Sequence, residues 1–143
     1  MVSEIGFGAW AIGGGAMIGK TAIGWGDADD KTSTAAIHQA LNSGINFFDT
    51  ADVYSNGTSE EVVGRALRDF ARRDEVVLAT KVNGVMVPGA NETGLSRKHM
   101  LSSRDAPLRR WRPDDVDLSQ SPVRHSDTPG KDDMHAVKTV VRG

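Results

Sequence analysis

The chain has 143 residues, of which 38% are hydrophobic and 25% charged, a composition typical of one globular domain and unlike a disordered or collagen-like chain. Cysteine is absent, which excludes a disulfide scaffold, a thiolate metal site and a cysteine nucleophile, so we expect a reducing, cytoplasmic location. A formal net charge of −2 and the lack of an apolar run of roughly 18 residues favour neither nucleic acid nor a membrane as partner.

The first predicted elements are a strand, a long loop and a helix. Residues 5–10 form a short apolar run that contains glycine, which predicts a strand. Glycine then dominates up to Asp30 without periodicity, so we predict a long loop. From Thr32 apolar residues recur at helical spacing, with Ser33 as the predicted N-terminal cap and Gly44 as the stop signal.

The next segments repeat this order of strand, loop and helix. Short apolar or β-branched runs that end at Asp49 and at Lys81 predict two further strands. A turn-forming run followed by a pattern of cap and acids predicts a helix between them. The predicted elements are a strand over residues 45–48, a turn over 54–57, a helix from Ser59, a strand over 76–80, a third helix over 96–110, a weaker strand over 116–118 and a last helix over 132–142.

Strands that alternate with helices indicate the fold class. This order is typical of βα units, in which crossover helices cover the strands of a parallel sheet. The predicted class is therefore α/β. Periodicity leaves two architectures open, the doubly wound open sheet and the closed (β/α)8 barrel, because four units are compatible with either.

A phosphate-binding motif overlaps the glycine-rich loop. Residues 14–21 read GGAMIGKT, which satisfies the pattern of a P-loop with Lys20 and Thr21 at its end. Such a loop opens directly into a helix whose N-terminus faces the phosphates, whereas AIGWGD follows Thr21 and predicts no helix. A P-loop nucleotide-binding protein that uses Gly14 to Thr21 stays as an alternative, and loss of magnesium-dependent ATP binding in Lys20→Ala would favour it.

Two other motifs in the same region are weak. Gly6, Gly8 and Ala11 fit the relaxed dinucleotide fingerprint, but further glycines stand where its helix should open. The acids between positions 27 and 30 lack the glycine and the final bidentate acid of a calcium loop. We therefore predict no metal site.

Three polar residues mark the ends of the central strands. Asp49 and Lys81 follow two strands, and Tyr54 lies in the loop after the first, so a parallel sheet brings them to one edge. A phenol is a weak acid at neutral pH, and a neighbouring ammonium group favours the phenolate. Tyr54 can then protonate the alkoxide formed when a carbonyl accepts hydride from a cofactor, with Asp49 orienting Lys81. The alternative for each residue is a structural role as a cap, turn former or packing contact.

Four segments closely resemble the N-terminal half of the aldo/keto reductase family: IGFGAWAIGG at 5–14, AAIHQALNSGINFFDTADVYSNGTSEEVVGRAL at 35–67, RRDEVVLATKV at 72–82 and LSRKHML at 95–101. The resemblance implies an incomplete (β/α)8 barrel, about the first four βα units, as one partial domain over residues 1–143. It also implies NADP(H) as cofactor and reduction of a small carbonyl substrate, an aldehyde or ketone, to an alcohol. The implied site residues are Asp49, Tyr54 and Lys81 for catalysis and Gly8, Ala9, Trp10 and Asp49 for cofactor binding.

The second half departs from this family pattern. The resemblance implies a fourth catalytic residue, a histidine, where this chain has Pro122, and Pro107 falls inside the predicted third helix. A closed barrel needs about 250 residues, so four units leave out half of its strands. We therefore expect weak or no turnover from this chain. A non-catalytic half-barrel that associates with itself through exposed strand edges is a further alternative.

Overall fold

A computed structural model describes residues 1–18, 20–81 and 116–120 of the chain. The strands that it describes form a four-stranded sheet of order β1-β4-β5-β6 and a two-stranded sheet of β2 and β3. In chain order the elements are β1 (Phe7–Gly8), β2 (Gly15–Ile18), β3 (Thr21–Gly24), α1 (Asp30–Asn42), β4 (Phe47–Asp49), α2 (Thr58–Phe70), β5 (Val77–Lys81) and β6 (Leu118–Gln120). None of the helices within these ranges is long and apolar enough to cross a membrane.

The larger sheet is parallel throughout, as the alternation of strands and helices predicts. Gly8 of β1 is in register with Asp49 of β4, and Asp49 is in register with Ala79 of β5. Lys81 at the end of β5 is in register with Gln120 of β6. The carboxyl ends of the four strands therefore form one edge of the sheet. This edge carries the loops that lead into the helices.

Both helices pack on one face of this sheet. Phe48 and Leu78 are register partners on β4 and β5, and both are buried against the helices. Ile37 of α1 and Val63 of α2 are fully buried in the same cluster. Phe7 extends this cluster to β1, since its ring lies 5.6 Å from that of Phe48 between centroids. Hydrophobic burial at about 25 cal/mol per Å² makes this layer the main stabilising feature of the described fold.

The N-terminal cap of α1 differs from the prediction. Asp29, not Ser33, is the cap: its Oδ1 accepts a hydrogen bond of 2.6 Å from the backbone N–H of Thr32. This backbone N–H, with the Thr32 hydroxyl, holds the pKa of Asp29 below its usual value. The prediction of Ser33 was wrong because the helix begins earlier, at Asp30, so that Ser33 is buried within its first turn.

The glycine-rich segment is not the structureless loop that its composition predicts. Gly15–Ile18 and Thr21–Gly24 pair as an antiparallel hairpin in which Gly15 is opposite Gly24. The backbones approach so closely that a Cβ on Gly24 would lie 2.3 Å from the carbonyl oxygen of Gly14, and Gly24 has a φ of +86°. This geometry requires glycine. Because glycine has no side chain, the two strands lack the alternation of apolar and polar residues from which a strand is predicted.

The hairpin also bears on the P-loop alternative. Thr21 begins a strand, and the next helix of the described chain begins only at Asp30. A helix N-terminus therefore does not follow the GKT sequence, and the geometry that a P-loop uses to hold phosphates is missing at this position.

The remaining boundaries differ by a few residues from the predictions. β1 is shorter than predicted, and β6 begins at Leu118 because Asp117 uses its Oδ2 to accept from the backbone N–H of Leu78 at 2.7 Å. The predicted helices over 96–110 and 132–142, together with Pro107 and Pro122, lie outside the described residues.

Candidate active site

Asp49 and Lys81 reach the same side of the sheet because each is the last residue of its strand. Asp49 is in register with Ala79, so Lys81 lies two residues beyond it on the neighbouring strand and its side chain projects to the same face. Both side chains are about three-quarters buried, at 27% and 21% exposure. The strand order of a parallel sheet thus places an acid and an amine side by side, as the sequence predicts.

The ammonium group of Lys81 lies at the centre of the polar contacts. Its Nζ forms an ion pair with Asp49 Oδ2, donates to the carbonyl oxygen of Thr50 at 3.3 Å and donates to Tyr54 Oη at 3.4 Å. Nζ also lies 5.3 Å from the centroid of the Tyr54 ring, within the range of a cation–π contact. The structure therefore brings the three predicted side chains together. The roles predicted for them in catalysis stay predictions.

Tyr54 is positioned by an unusual turn. Ser55 and Asn56 have φ values of 48° and 57°, in the left-handed region that costs energy for residues with a side chain. Ser55 Oγ offsets this cost by donating to the carbonyl oxygen of Gly14 at 2.5 Å, and Tyr54 N donates to Ala51 O at 3.1 Å. The turn therefore fixes Tyr54 against both the hairpin and the end of β4.

Gln120 is a member of the site that the sequence reasoning missed. As the last residue of β6, it is in register with Lys81, and its Nε2 donates to Asp49 Oδ1 at 3.3 Å. Asp49 therefore has one oxygen on Lys81 and the other on Gln120, which fixes the plane of its carboxylate. The available signal was the rule that identified Asp49 and Lys81, since Gln120 also ends a strand of the parallel sheet.

The three residues predicted to lie beside a cofactor border this cluster. Gly8 is in register with Asp49, and a Cβ on Gly8 would meet nothing within 4 Å, which leaves open space at the strand end. Ala9 is buried and its N–H donates to the carbonyl oxygen of Asp49 at 2.8 Å. The exposed Trp10 ring stacks on Tyr54 with centroids 6.2 Å apart.

A second tryptophan continues this aromatic row. Trp25, directly after the hairpin, stands edge-on to Trp10 at 5.9 Å between centroids and is 61% exposed. The sequence reasoning missed it because the residues around it predict a loop. The described site is therefore a polar cluster of amine, acid and phenol with apolar aromatic surface beside it.

Comparisons with known proteins agree with this architecture. The model of the aldo/keto reductase family matches residues 4–142. The aldo-keto reductase AKR11C1 from Bacillus halodurans, solved in its holo form, superposes with a TM-score of 0.78 at 29% identity over 99% of this chain and 43% of that protein. Its barrel confirms the predicted fold class, an incomplete (β/α)8 barrel.

Two curated relatives show the same similarity in sequence. The aldo-keto reductase YhdN of Bacillus subtilis is 39% identical over 82% of this chain and 33% of its own length. A probable voltage-gated potassium channel subunit beta of Arabidopsis thaliana is 34% identical over 98% of this chain and 39% of its own length. The chain thus spans between a third and two-fifths of the curated relatives described here. With the family model matching nearly every residue, the chain belongs to the aldo/keto reductase family.

Proposed function

We propose that this chain carries the carbonyl-reducing cluster of an NADP(H)-dependent aldo/keto reductase, which converts small aldehydes or ketones to alcohols. Residues 1–143 are proposed to form one partial barrel domain. The observation that carries the proposal is the position of Lys81 Nζ, which is paired with Asp49 and lies 3.4 Å from Tyr54 Oη. A lone ion pair or a lone buried phenol has many structural explanations, whereas an amine shared between the two is suited to proton transfer.

The proposed step consumes one hydride and one proton. When bound, NADPH supplies the hydride that adds to the carbonyl carbon, since no side chain can donate one. The carbonyl oxygen becomes an alkoxide, and Tyr54 gives it the phenolic proton. The ammonium of Lys81 stabilises the phenolate that remains, because an adjacent positive charge favours the ionised phenol. Asp49 holds that ammonium in place, and Gln120 holds Asp49.

The described residues fit the reactive end of such a cofactor. Gly8 leaves open space at the strand end beside Asp49, where a flat ring can approach the backbone without meeting a side chain. Trp10 offers an exposed aromatic face next to Tyr54. We propose that Gly8, Ala9, Trp10 and Asp49 line this side of the cofactor, while Trp10 also borders the substrate.

Product formation tests the proposal directly. The 143-residue chain is incubated with benzaldehyde and NADPH that carries deuterium at the transferable position, and deuterated benzyl alcohol is measured by mass spectrometry. We expect slow product formation, because the chain spans 39% or less of the two curated relatives and has proline at the position implied for the histidine. Tyr54→Phe removes only the phenolic hydroxyl and is expected to lower product formation by about 100-fold or more, the size of a general acid contribution. Equal product from both chains contradicts the proposal, whereas no product from either agrees with the expectation of weak or no turnover from this chain.

We also propose that the chain associates with itself. β1 is one of the two edge strands of the described four-stranded sheet, and the segment leading into it exposes Val2 at 53% and Ile5 at 71%. A strand edge that pairs with no other strand among the described residues, and that is flanked by apolar side chains, favours pairing with a second chain. Analytical ultracentrifugation is expected to show a dimer that Ile5→Lys dissociates. A wild-type chain that sediments as a monomer at all concentrations contradicts this expectation.

A further inference from the structure

Behind the polar cluster lies a second, buried polar layer. Side chains alternate along a strand, so the residues that follow Asp49 and precede Lys81 point away from the cluster. These residues are Thr50 and Thr80, and both are buried, at 0% and 2% exposure. They face the first turn of α2, where Ser59 and Glu60 are themselves fully buried.

Ser59 connects α2 to two strand ends. Its Oγ donates to the carbonyl oxygen of Ala9 at 2.8 Å and lies 3.1 Å from Thr50 Oγ1. Since a hydroxyl has one proton, and that of Ser59 is used on Ala9, Thr50 is the donor of the second bond. The carbonyl oxygen of Thr50 in turn accepts a hydrogen bond of 3.3 Å from Lys81 Nζ. The buried hydroxyl of Ser59 therefore fixes the position of Thr50. Thr50 follows Asp49 in sequence, and its carbonyl oxygen is an acceptor for Lys81.

Glu60 makes the corresponding connection to β5. Its Oε1 accepts a hydrogen bond of 2.8 Å from Thr80 Oγ1, and Thr80 shares a peptide bond with Lys81. The carbonyl oxygen of Lys81 accepts from the backbone N–H of Asp52 at 3.2 Å, so the backbone on both sides of the lysine is held. Glu60 also lies in the first helical turn, where the helix dipole favours an acidic group.

A carboxyl group in this layer is costly unless it has a specific role. Burying polar groups lowers stability unless each finds a partner, and apolar residues of similar volume pack between a helix and a sheet at least as well. Ser59 and Glu60 instead accept hydrogen bonds from Thr50, which follows Asp49 in sequence, and Thr80, which precedes Lys81. The pairing therefore sets the position of the strand ends with a precision that non-directional apolar packing does not give.

We propose that Ser59 and Glu60 are positioning residues, which act through Thr50 and Thr80 to hold Asp49 and Lys81 against Tyr54. This inference rests on the proposed function, because it assigns the position of Lys81 a chemical purpose. It predicts that removing the Thr80 hydroxyl changes the environment of the Tyr54 phenol, although the side chain of Thr80 points away from the cluster that contains Tyr54.

The chain contains one tyrosine, so tyrosine labelled with 13C at Cζ gives a single NMR signal that belongs to Tyr54. Lys81→Met removes the ammonium and defines how far the signal moves when the Lys81–Tyr54 contact is lost. Thr80→Val keeps the volume of the side chain and removes only the hydrogen bond to Glu60. We expect it to move the Tyr54 signal in the direction of Lys81→Met, and we expect Thr80→Ser, which keeps the hydroxyl, to restore the wild-type position.

Ser33→Ala is the matched control, because it removes a buried hydroxyl from α1, away from the cluster. It is expected to change the melting temperature and leave the Tyr54 signal in place. Glu60→Gln keeps a hydrogen-bond acceptor, so we expect its Tyr54 signal near the wild-type position. Glu60→Ala removes the acceptor, and we expect it to move the Tyr54 signal in the same direction as Thr80→Val. If Glu60→Ala does not fold, the near-isosteric Thr80→Val carries the test alone.

The outcomes separate this inference from the proposed function. A Tyr54 signal that Thr80→Val leaves at the wild-type position, while Lys81→Met moves it, overturns the positioning role and leaves the proposed site intact. A signal that Lys81→Met fails to move contradicts the Lys81–Tyr54 contact, and with it both proposals. As a second readout, Thr80→Val is expected to slow formation of the deuterated alcohol by about tenfold or more with unchanged KM for NADPH, since small misplacements of reacting groups are costly.

Discussion

The two edges of the parallel sheet use charged residues in different ways. At the carboxyl edge, Lys81 and Asp49 are largely buried and share further partners in one connected cluster. At the amino edge, just before β5, Arg72 pairs with Asp74 at 2.8 Å while both side chains are more than two-thirds exposed. Water and salt screen the second pair, which contributes little to stability, whereas the first is shielded and its geometry is fixed. The carboxyl edge therefore holds a shielded cluster of fixed geometry, where we propose that the reaction takes place, whereas the Arg72–Asp74 pair at the amino edge is open to solvent.

Phe48→Ala is expected to have the largest effect, because it removes the ring that supports both edges. Phe48 is fully buried at the centre of the helix-covered face of the sheet. Truncation of a buried phenylalanine lowers the free energy of unfolding by about 3–5 kcal/mol, which is a large part of a typical domain's stability. Urea unfolding followed by circular dichroism measures the loss. A change of less than about 1 kcal/mol would show that this layer is not the core.

Lys81→Met is expected to show the largest difference in product formation between a substitution at the carboxyl edge and one at the amino edge. The substitution keeps an unbranched side chain of similar length and removes the charge beside Tyr54 and Asp49. We expect formation of deuterated alcohol to fall by about 100-fold, the size of a general acid–base contribution. The melting temperature is expected to fall as well, because the substitution leaves the largely buried Asp49 without its lysine partner. An equal loss of activity in Arg72→Ala, the corresponding change at the amino edge, would contradict the functional distinction between the edges.

Asp29→Asn tests a charge at the start of α1, outside the polar cluster. The backbone N–H of Thr32 holds the pKa of Asp29 below its usual value in the folded chain. A lowered carboxyl pKa stabilises the fold at pH values above the pKa of the unfolded chain, and this contribution is lost as the pH falls through the folded-state pKa. Asparagine also caps helices but does not titrate there. The wild type is therefore expected to melt above Asp29→Asn at neutral pH, with the difference disappearing in acid. A difference that stays constant with pH would contradict this account.

Arg72→Ala is expected to have the smallest effect. Its partners hold the pKa of Arg72 above the usual value, Asp74 through a hydrogen bond and charge attraction and Glu75 through charge attraction. The group is nevertheless exposed, so counter-ions and water replace these partners readily. We expect a melting temperature within experimental error of the wild type at moderate salt. A clear loss that high salt does not reduce would show that the amino edge carries more structure than its exposure indicates.

The sequence predicted those parts of the fold that depend on local pattern and chain order. β5 ends at Lys81 as the β-branched run predicts, and the parallel arrangement follows from the alternation of strands and helices. The convergence of Asp49, Tyr54 and Lys81 follows from the same arrangement. In a parallel sheet, a residue at the carboxyl end of one strand lies beside the residues at the carboxyl ends of the neighbouring strands. The order of strands along the chain is therefore sufficient to predict this cluster.

Features that depend on distant partners could not be read in the same way. The hairpin of β2 and β3 contains glycines at its ends, so its sequence lacks the hydrophobic alternation that predicts a strand. Trp25 can be assigned to the site only from its contact with the ring of Trp10. Ser59 and Glu60 match the exposed cap-and-acid pattern of a helix start, yet both are buried. Their partners, such as Thr80, are remote in sequence, so only the folded chain reveals them.

A double-mutant cycle on product formation tests the central claim, that Lys81 and Tyr54 act as one unit. Rates of deuterated alcohol formation are compared for the wild type, Lys81→Met, Tyr54→Phe and the combination of both. If the ammonium acts through the phenol, the double variant is no slower than the slower single variant, because the second change removes an interaction that is already lost. If the two losses multiply in the double variant, Lys81 and Tyr54 contribute independently and the account is contradicted.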